Sequence, residues 1–111
     1  MKLETQDYNN ITVVGLQGEL EADYVEPFQK TITDIIATHK IGIVLDMTDV
    51  GFIDSAGLEK LLWTRDYCNE NDCQLRLAGL DENCAKILEI TRLEGEFDCY
   101  AEVAKAVKSF A

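Results

Sequence analysis

The chain has 111 residues, 47% hydrophobic and 28% charged, with 21 acidic side chains against 10 basic ones and a net charge of −11. That length supports one domain, residues 1–111, burying roughly two thirds of its unfolded surface in a single core. The negative balance repels nucleic acid and anionic lipid, and it favours a partner with a basic face.

The first residues, Met1 to Asp7, alternate polar and apolar and lack the apolar core of a signal peptide. No apolar run approaches the roughly 18 residues of a membrane span, so the reading is a cytoplasmic protein without a membrane partner. Residues 2–8 have the pattern of an edge strand, Asn9-Asn10 that of a turn, and 11–16 that of a second strand; together they predict an antiparallel hairpin. From 24 to 39, apolar side chains recur at Val25, Phe28, Ile32, Ile35 and Ile36, the spacing of an amphipathic helix. The single proline, Pro27, lies near its start, where a missing N–H is tolerated. "IGIVLDM", 41–47, is an apolar run suited to a strand covered on both faces. A helix over 58–69, a strand over 74–78 ended by Gly79, a helix over 83–93, a strand over 97–100 and a helix over 102–110 complete the chain. This order predicts an α/β domain with a mixed, mainly parallel sheet, an N-terminal antiparallel hairpin and about four helices on right-handed crossovers.

Four cysteines, at 68, 73, 84 and 99, include no C-x-x-C pair, and the sole histidine is His39. They read as reduced, mostly buried apolar residues rather than as a metal or redox site. With no phosphate-binding glycine motif either, no cofactor and no metal are expected.

In parallel sheets, partners meet the loops at the carboxyl ends of the strands. "FIDSAGL", 52–58, falls there. Asp54 or Ser55 would cap the following helix by accepting from an orphan backbone N–H, yet either alone suffices. Gly57 costs about 1 kcal/mol relative to alanine inside a helix, and its bare backbone leaves space for another chain. A catalytic serine finds no support, because G-x-S-x-G is missing and His39 belongs to a different helix pattern. Asp46 as the phospho-acceptor of a receiver would need an acidic pair after the first strand, where only Glu19 stands. No enzyme is expected. Phosphorylation of Ser55 is the chemistry that remains. It would add about −1.5 to −2 charges at a helix N-terminus able to hold a dianion. Asp54 and Glu59 flank it, with Lys60 the nearby cation. A docked partner would be repelled while the fold persisted, which is an electrostatic switch.

Helix geometry counted from Ser55 places Leu58, Leu61, Leu62 and Cys68 on an arc facing the sheet, and Trp63 and Tyr67 on the opposite face beside Ala56 and Lys60. Two large aromatics there either anchor an interface or are covered by another helix or loop; the pattern fits both equally. Arg65 falls within the core arc and is expected to snorkel past its edge.

"LDMTDVGFIDSAGLEKLL", 45–62, resembles the signature of the STAS domain of bacterial anti-sigma-factor antagonists, with Asp46, Thr48, Val50, Phe52, Asp54, Ser55, Gly57 and Leu58 in register. "LQGELEADYVEPF" is similar to that family's Gly-Glu-Leu-Asp segment, and "LRLAGLDENCAKILEITRL" to its fourth strand and third helix, so the likeness covers essentially the whole chain. The resemblance implies a non-enzymatic switch. The unphosphorylated antagonist binds an anti-sigma factor that is also a serine kinase, freeing a sigma factor. The kinase then phosphorylates the residue matched by Ser55, and a separate serine phosphatase resets it. Asp54, Ala56, Gly57, Glu59, Lys60, Trp63 and Tyr67, with Glu21 and Asp23 of the Gly-Glu-Leu segment, are the expected partner-binding residues. Two departures stand out: Glu21 replaces an aspartate, and Arg92 replaces a glycine at the end of the third helix. The alternative is a STAS module serving a transport or signalling assembly as a structural or regulatory subunit, with Ser55 only a cap.

Overall fold

The computed structural model describes residues 2–110. Strands β1 (Lys2–Tyr8) and β2 (Ile11–Gln17) form the antiparallel hairpin, Tyr8 opposite Ile11 and Lys2 opposite Gln17. Asn9 takes the left-handed conformation in the turn, φ 58°, which its short polar side chain tolerates. Strands β3 (Gly42–Asp49), β4 (Gln74–Ala78) and β5 (Asp98–Tyr100) then add in parallel, giving a five-stranded sheet in the order β1-β2-β3-β4-β5. The helices between and after them are α1 (Val25–Ile36), α2 (Ser55–Glu70), α3 (Glu82–Ile90) and α4 (Val103–Lys108).

Alternate residues of β2 sort the helices into two layers. Val14 and Leu16 point into the main core with Phe28 and Ile32 of α1, Leu61 of α2 and Leu88 of α3. Val13 points to the other face, where Val44 and Ala78 meet Ala106, Val103 and Val107 of α4. Period-two alternation is what lets one strand feed both cores. Each fully buried Leu, Ile or Phe contributes about 1.5–3 kcal/mol, so the main core supplies most of the stability. The closing helix is held by a small device. Phe110 lies against the bare backbone of Gly42, and the Arg76 guanidinium stacks on its ring at 4.1 Å while donating to Ser109 Oγ at 2.6 Å. Among the described residues no helix is long and apolar enough to cross a membrane.

Several element ends differ from the sequence pattern, each for a backbone reason. Helix α1 stops at Ile36 rather than His39, which lies in the left-handed region at φ 61°. Helix α3 stops at Ile90 rather than Leu93. There the chain closes as a Schellman motif: the Leu93 N–H donates to the Leu88 carbonyl at 2.8 Å and the Arg92 N–H to that of Glu89 at 3.0 Å. This closure requires a left-handed residue, and Arg92 supplies it at φ 62°. A side chain in that conformation costs about 1–2 kcal/mol, and glycine relieves it. Arg92→Gly is therefore expected to stabilise the protein by about 1 kcal/mol, read as a higher urea midpoint at unchanged slope.

Candidate functional site

Strand β3 ends at Asp49, and residues 50–54 turn across the carboxyl ends of the strands before α2 begins. Val50 and Ile53 are buried; Gly51 and Phe52 are exposed. The loop is tied on two sides. From the segment after β2, the Leu20 N–H donates to the Phe52 carbonyl at 3.0 Å and the Asp54 N–H to the Leu20 carbonyl at 3.2 Å. From α3, the Asn83 amide donates to the Gly51 carbonyl at 2.7 Å and Cys84 Sγ to the Val50 carbonyl at 3.2 Å. Burial and then Asp81 push the Cys84 thiol up to about 12, so it keeps its proton and remains a donor at neutral pH.

The cap of α2 is Asp54. Its Oδ1 accepts from the Gly57 N–H at 2.8 Å and its Oδ2 from the Ala22 N–H at 3.2 Å. One carboxylate thus closes the helix and fastens the Gly-Glu-Leu segment beside it. Ser55 is the first helical residue, three positions before the helix start that the apolar pattern indicates, and it is exposed. With Gly57 N–H held by the Asp54 carboxylate and Leu58 N–H by the Asp54 carbonyl, those of Ser55 and Ala56 are the orphan donors of this 16-residue helix.

Gly57 is buried, and a Cβ there would collide with the Leu20 carbonyl oxygen. The space expected for another chain is occupied by this chain's own backbone. Gly57 is needed for that approach rather than for an exposed one.

Glu21 is half-buried and Asp23 exposed, and both lie near Asp54. Partial burial first, then repulsion from Glu19, Asp23 and Asp54, raises the Glu21 carboxyl above its ordinary value of 4.5. Glu59 is exposed on α2, one helical turn after Ser55. Lys60, the nearest cation in sequence, is already engaged. Its ammonium donates to Gln29 Oε1 of α1 and sits 4.7 Å above the Trp63 ring.

The aromatic pair departs from the helical-wheel expectation. Trp63 and Tyr67 are stacked, ring centroids 4.9 Å apart and planes within 12°, but they are half-buried against the main core. The fully buried residues of α2 are Gly57, Leu61, Thr64 and Cys68, whereas Leu58 and Leu62 are only half-buried. Helix α2 packs against α1 as well as the sheet, so its apolar surface wraps further than one face. Arg65 leaves the core through its guanidinium, paired with Glu96 at 2.5 Å and Asp66 at 3.0 Å. The site therefore brings together Ser55, Asp54, Ala56, Glu59, Glu21 and Asp23, while Trp63 and Tyr67 belong to its supporting layer. The exposure of Phe52 and the Leu20 clamp were not read from the sequence, where Phe52 figures only as a residue of the family signature. Cys68, Cys73 and Cys84 are buried free thiols, and Cys99 is an exposed one.

Comparison with known proteins places this arrangement. The family model described as STAS domain matches residues 2–106. An anti-sigma-B factor antagonist of Staphylococcus aureus is 26% identical over 94 residues, 85% of this chain and 87% of that protein. Among solved structures, an anti-sigma factor antagonist from Mycobacterium paratuberculosis superposes with a TM-score of 0.86 at 19% identity, covering 97% of this chain and 92% of that one. The anti-sigma factor antagonist SpoIIAA in its unphosphorylated form gives 0.84 at 18%, covering 98% and 96%. The Bacillus cell fate determinant SpoIIAA in its phosphorylated form gives 0.77 at 19%, covering 99% and 100%. At these identities the structures show a shared fold.

Two outcomes follow from the site's geometry. Gly57→Ala, which on helix propensity alone would stabilise by about 1 kcal/mol, is expected to lower the unfolding midpoint instead, because its Cβ meets the Leu20 carbonyl. Glu21→Gln is expected to raise the melting temperature at neutral pH. A carboxyl whose folded pKa is raised is disfavoured by the fold when ionised; the penalty exists above the folded pKa and disappears below 4.5. A melting series should show the two proteins converging as the pH falls through that range.

Proposed function

The chain belongs to the STAS domain family, and from that membership we propose that it is an anti-sigma-factor antagonist switched off by phosphorylation of Ser55. In this reading the unphosphorylated form binds an anti-sigma factor that is also a serine kinase, and a sigma factor is released. The kinase holds ATP; Ser55 Oγ forms its bond to the γ-phosphorus, the bond to ADP breaks, and the hydroxyl proton passes to the kinase. A separate serine phosphatase restores the hydroxyl. The protein itself supplies a substrate hydroxyl and a binding surface, and needs no cofactor.

The observation that carries this reading is the division of labour at the start of α2. Asp54 alone caps the helix, so Ser55 is exposed and spared from the role that would otherwise account for it. A phosphate there would lie at the orphan Ser55 and Ala56 amides, where the helix dipole favours an anion. The fold is expected to tolerate it. The docking surface would not. A Ser55 dianion joins Asp54, Glu59 and the Glu21 cluster, and Lys60 is already committed to Gln29 and Trp63. A partner pressed onto this rim must desolvate adjacent like charges, which costs several kcal/mol.

The test is incubation of the purified protein with ATP and each anti-sigma-factor kinase encoded in the same genome, followed by intact mass and site mapping. One phosphate at Ser55 is expected, and none on Ser55→Ala. In binding measurements Ser55→Ala should retain kinase affinity and Ser55→Asp should lose roughly tenfold or more. Equal affinities for the two variants would instead support a STAS subunit without a phospho-switch.

A further inference from the structure

We propose that Phe52 is the apolar anchor of the partner-binding surface beside Ser55, received by a pocket on the kinase whose rim is basic; this rests on the reading given under Proposed function. Phe52 is 43% exposed. Its neighbours in the loop, Val50 and Ile53, are at most 2% exposed. Other exposed apolar residues lie elsewhere. Tyr8 and Ile41 are at the opposite end of the strands from Ser55, and Ile90 ends α3, roughly 10 Å of helix beyond the Asn83 contact to this loop.

What distinguishes Phe52 is that its backbone is fixed. Its own carbonyl is held by the Leu20 N–H, Gly51 before it by Asn83, and Asp54 after it by the Leu20 carbonyl. A side chain projected from so constrained a loop loses little freedom on docking, which is how a few anchors carry most of an interface's affinity. The surroundings supply the rest of the pattern. Phe52 is bonded through its carbonyl to Leu20, which precedes Glu21, and Asp54 follows it by two residues, so an apolar side chain beside the acidic Glu21 cluster suits a cavity bordered by Lys or Arg. The same acidic surroundings make the anchor conditional. Ser55 lies three residues after Phe52, within about 10 Å even at full extension, so a phosphate there adds charge close to the pocket that the ring must enter.

The experiment titrates the kinase that binds wild-type protein with Phe52→Ala and Phe52→Leu, alongside melting curves and sedimentation of each. Phe52→Ala is expected to weaken binding by roughly 30-fold or more, and Phe52→Leu by only a few-fold. Because much of the ring lies in water, both variants should stay folded, Phe52→Leu melting nearest wild type. An affinity for Phe52→Ala within about twofold of wild type would overturn the anchor while leaving the switch reading intact. So would a wild-type dimer that Phe52→Ala dissolves without changing kinase affinity, which assigns the ring to a second copy. If no kinase from the genome binds the wild-type protein, the switch reading fails and the anchor fails with it.

Discussion

The Asp54 carboxylate accepts from two backbone amides in different segments, Gly57 at 2.8 Å and Ala22 at 3.2 Å, and the geometry of the whole rim depends on that sharing. A helix cap of this kind contributes about 1 kcal/mol; the second bond gives it a role beyond stability. It brings the Glu19–Asp23 segment against the start of α2, where partial burial and then the gathered carboxylates raise the Glu21 pKa. The Leu20 carbonyl then occupies the space that only a glycine at 57 leaves open. Cap, close approach and acidic rim form one construction, and each part requires the other two.

That construction explains how a surface group can switch binding without moving the fold. Ser55 takes part in neither the cap nor the clamp, so modifying it disturbs no bond that holds the helix. The anion would meet two orphan amides on one side and a rim of like charges on the other. The fold and a partner therefore respond to the same phosphate with opposite signs. Elsewhere the structure is built for rigidity, with helices on both faces of the sheet and the Phe110 ring seated on Gly42 under Arg76.

Strand periodicity was plain in the residues: β1 and β4 have the bounds that alternation and turn signals indicate. Helix ends were less legible, because they depend on single left-handed residues. Arg92 and His39 adopt that conformation, and neither side chain advertises it as glycine would. Gly57 misled in one respect: its bare backbone suggested an opening for a partner, when the occupant is Leu20 from a distant part of the chain. The choice between Asp54 and Ser55 as cap was likewise invisible in one dimension, since both are competent and only the loop's path selects one.

The side of α2 that carries Trp63 and Tyr67 shows the limit of a helical wheel. The wheel assigns one inner face, whereas α2 rests on the sheet and on α1 together, so two aromatics drawn on the far side lean back onto the core. For Phe52 the residues alone gave no burial; the turn over 50–54, tied by Leu20 and Asn83, leaves it exposed. In both cases tertiary neighbours set the exposure.

The central claim is that Ser55 sits on a platform that does not rearrange when charged. Amide NMR spectra of the isotope-labelled protein, recorded before and after enzymatic phosphorylation at Ser55, test it most directly. The account predicts shifts confined to residues 19–24, 50–60 and the two residues of α3 bonded to that loop, Asn83 and Cys84, with the amides of β4, α4 and the rest of α3 unchanged. Shifts spread through those elements would mean that the phosphate acts by refolding the domain, and would contradict it.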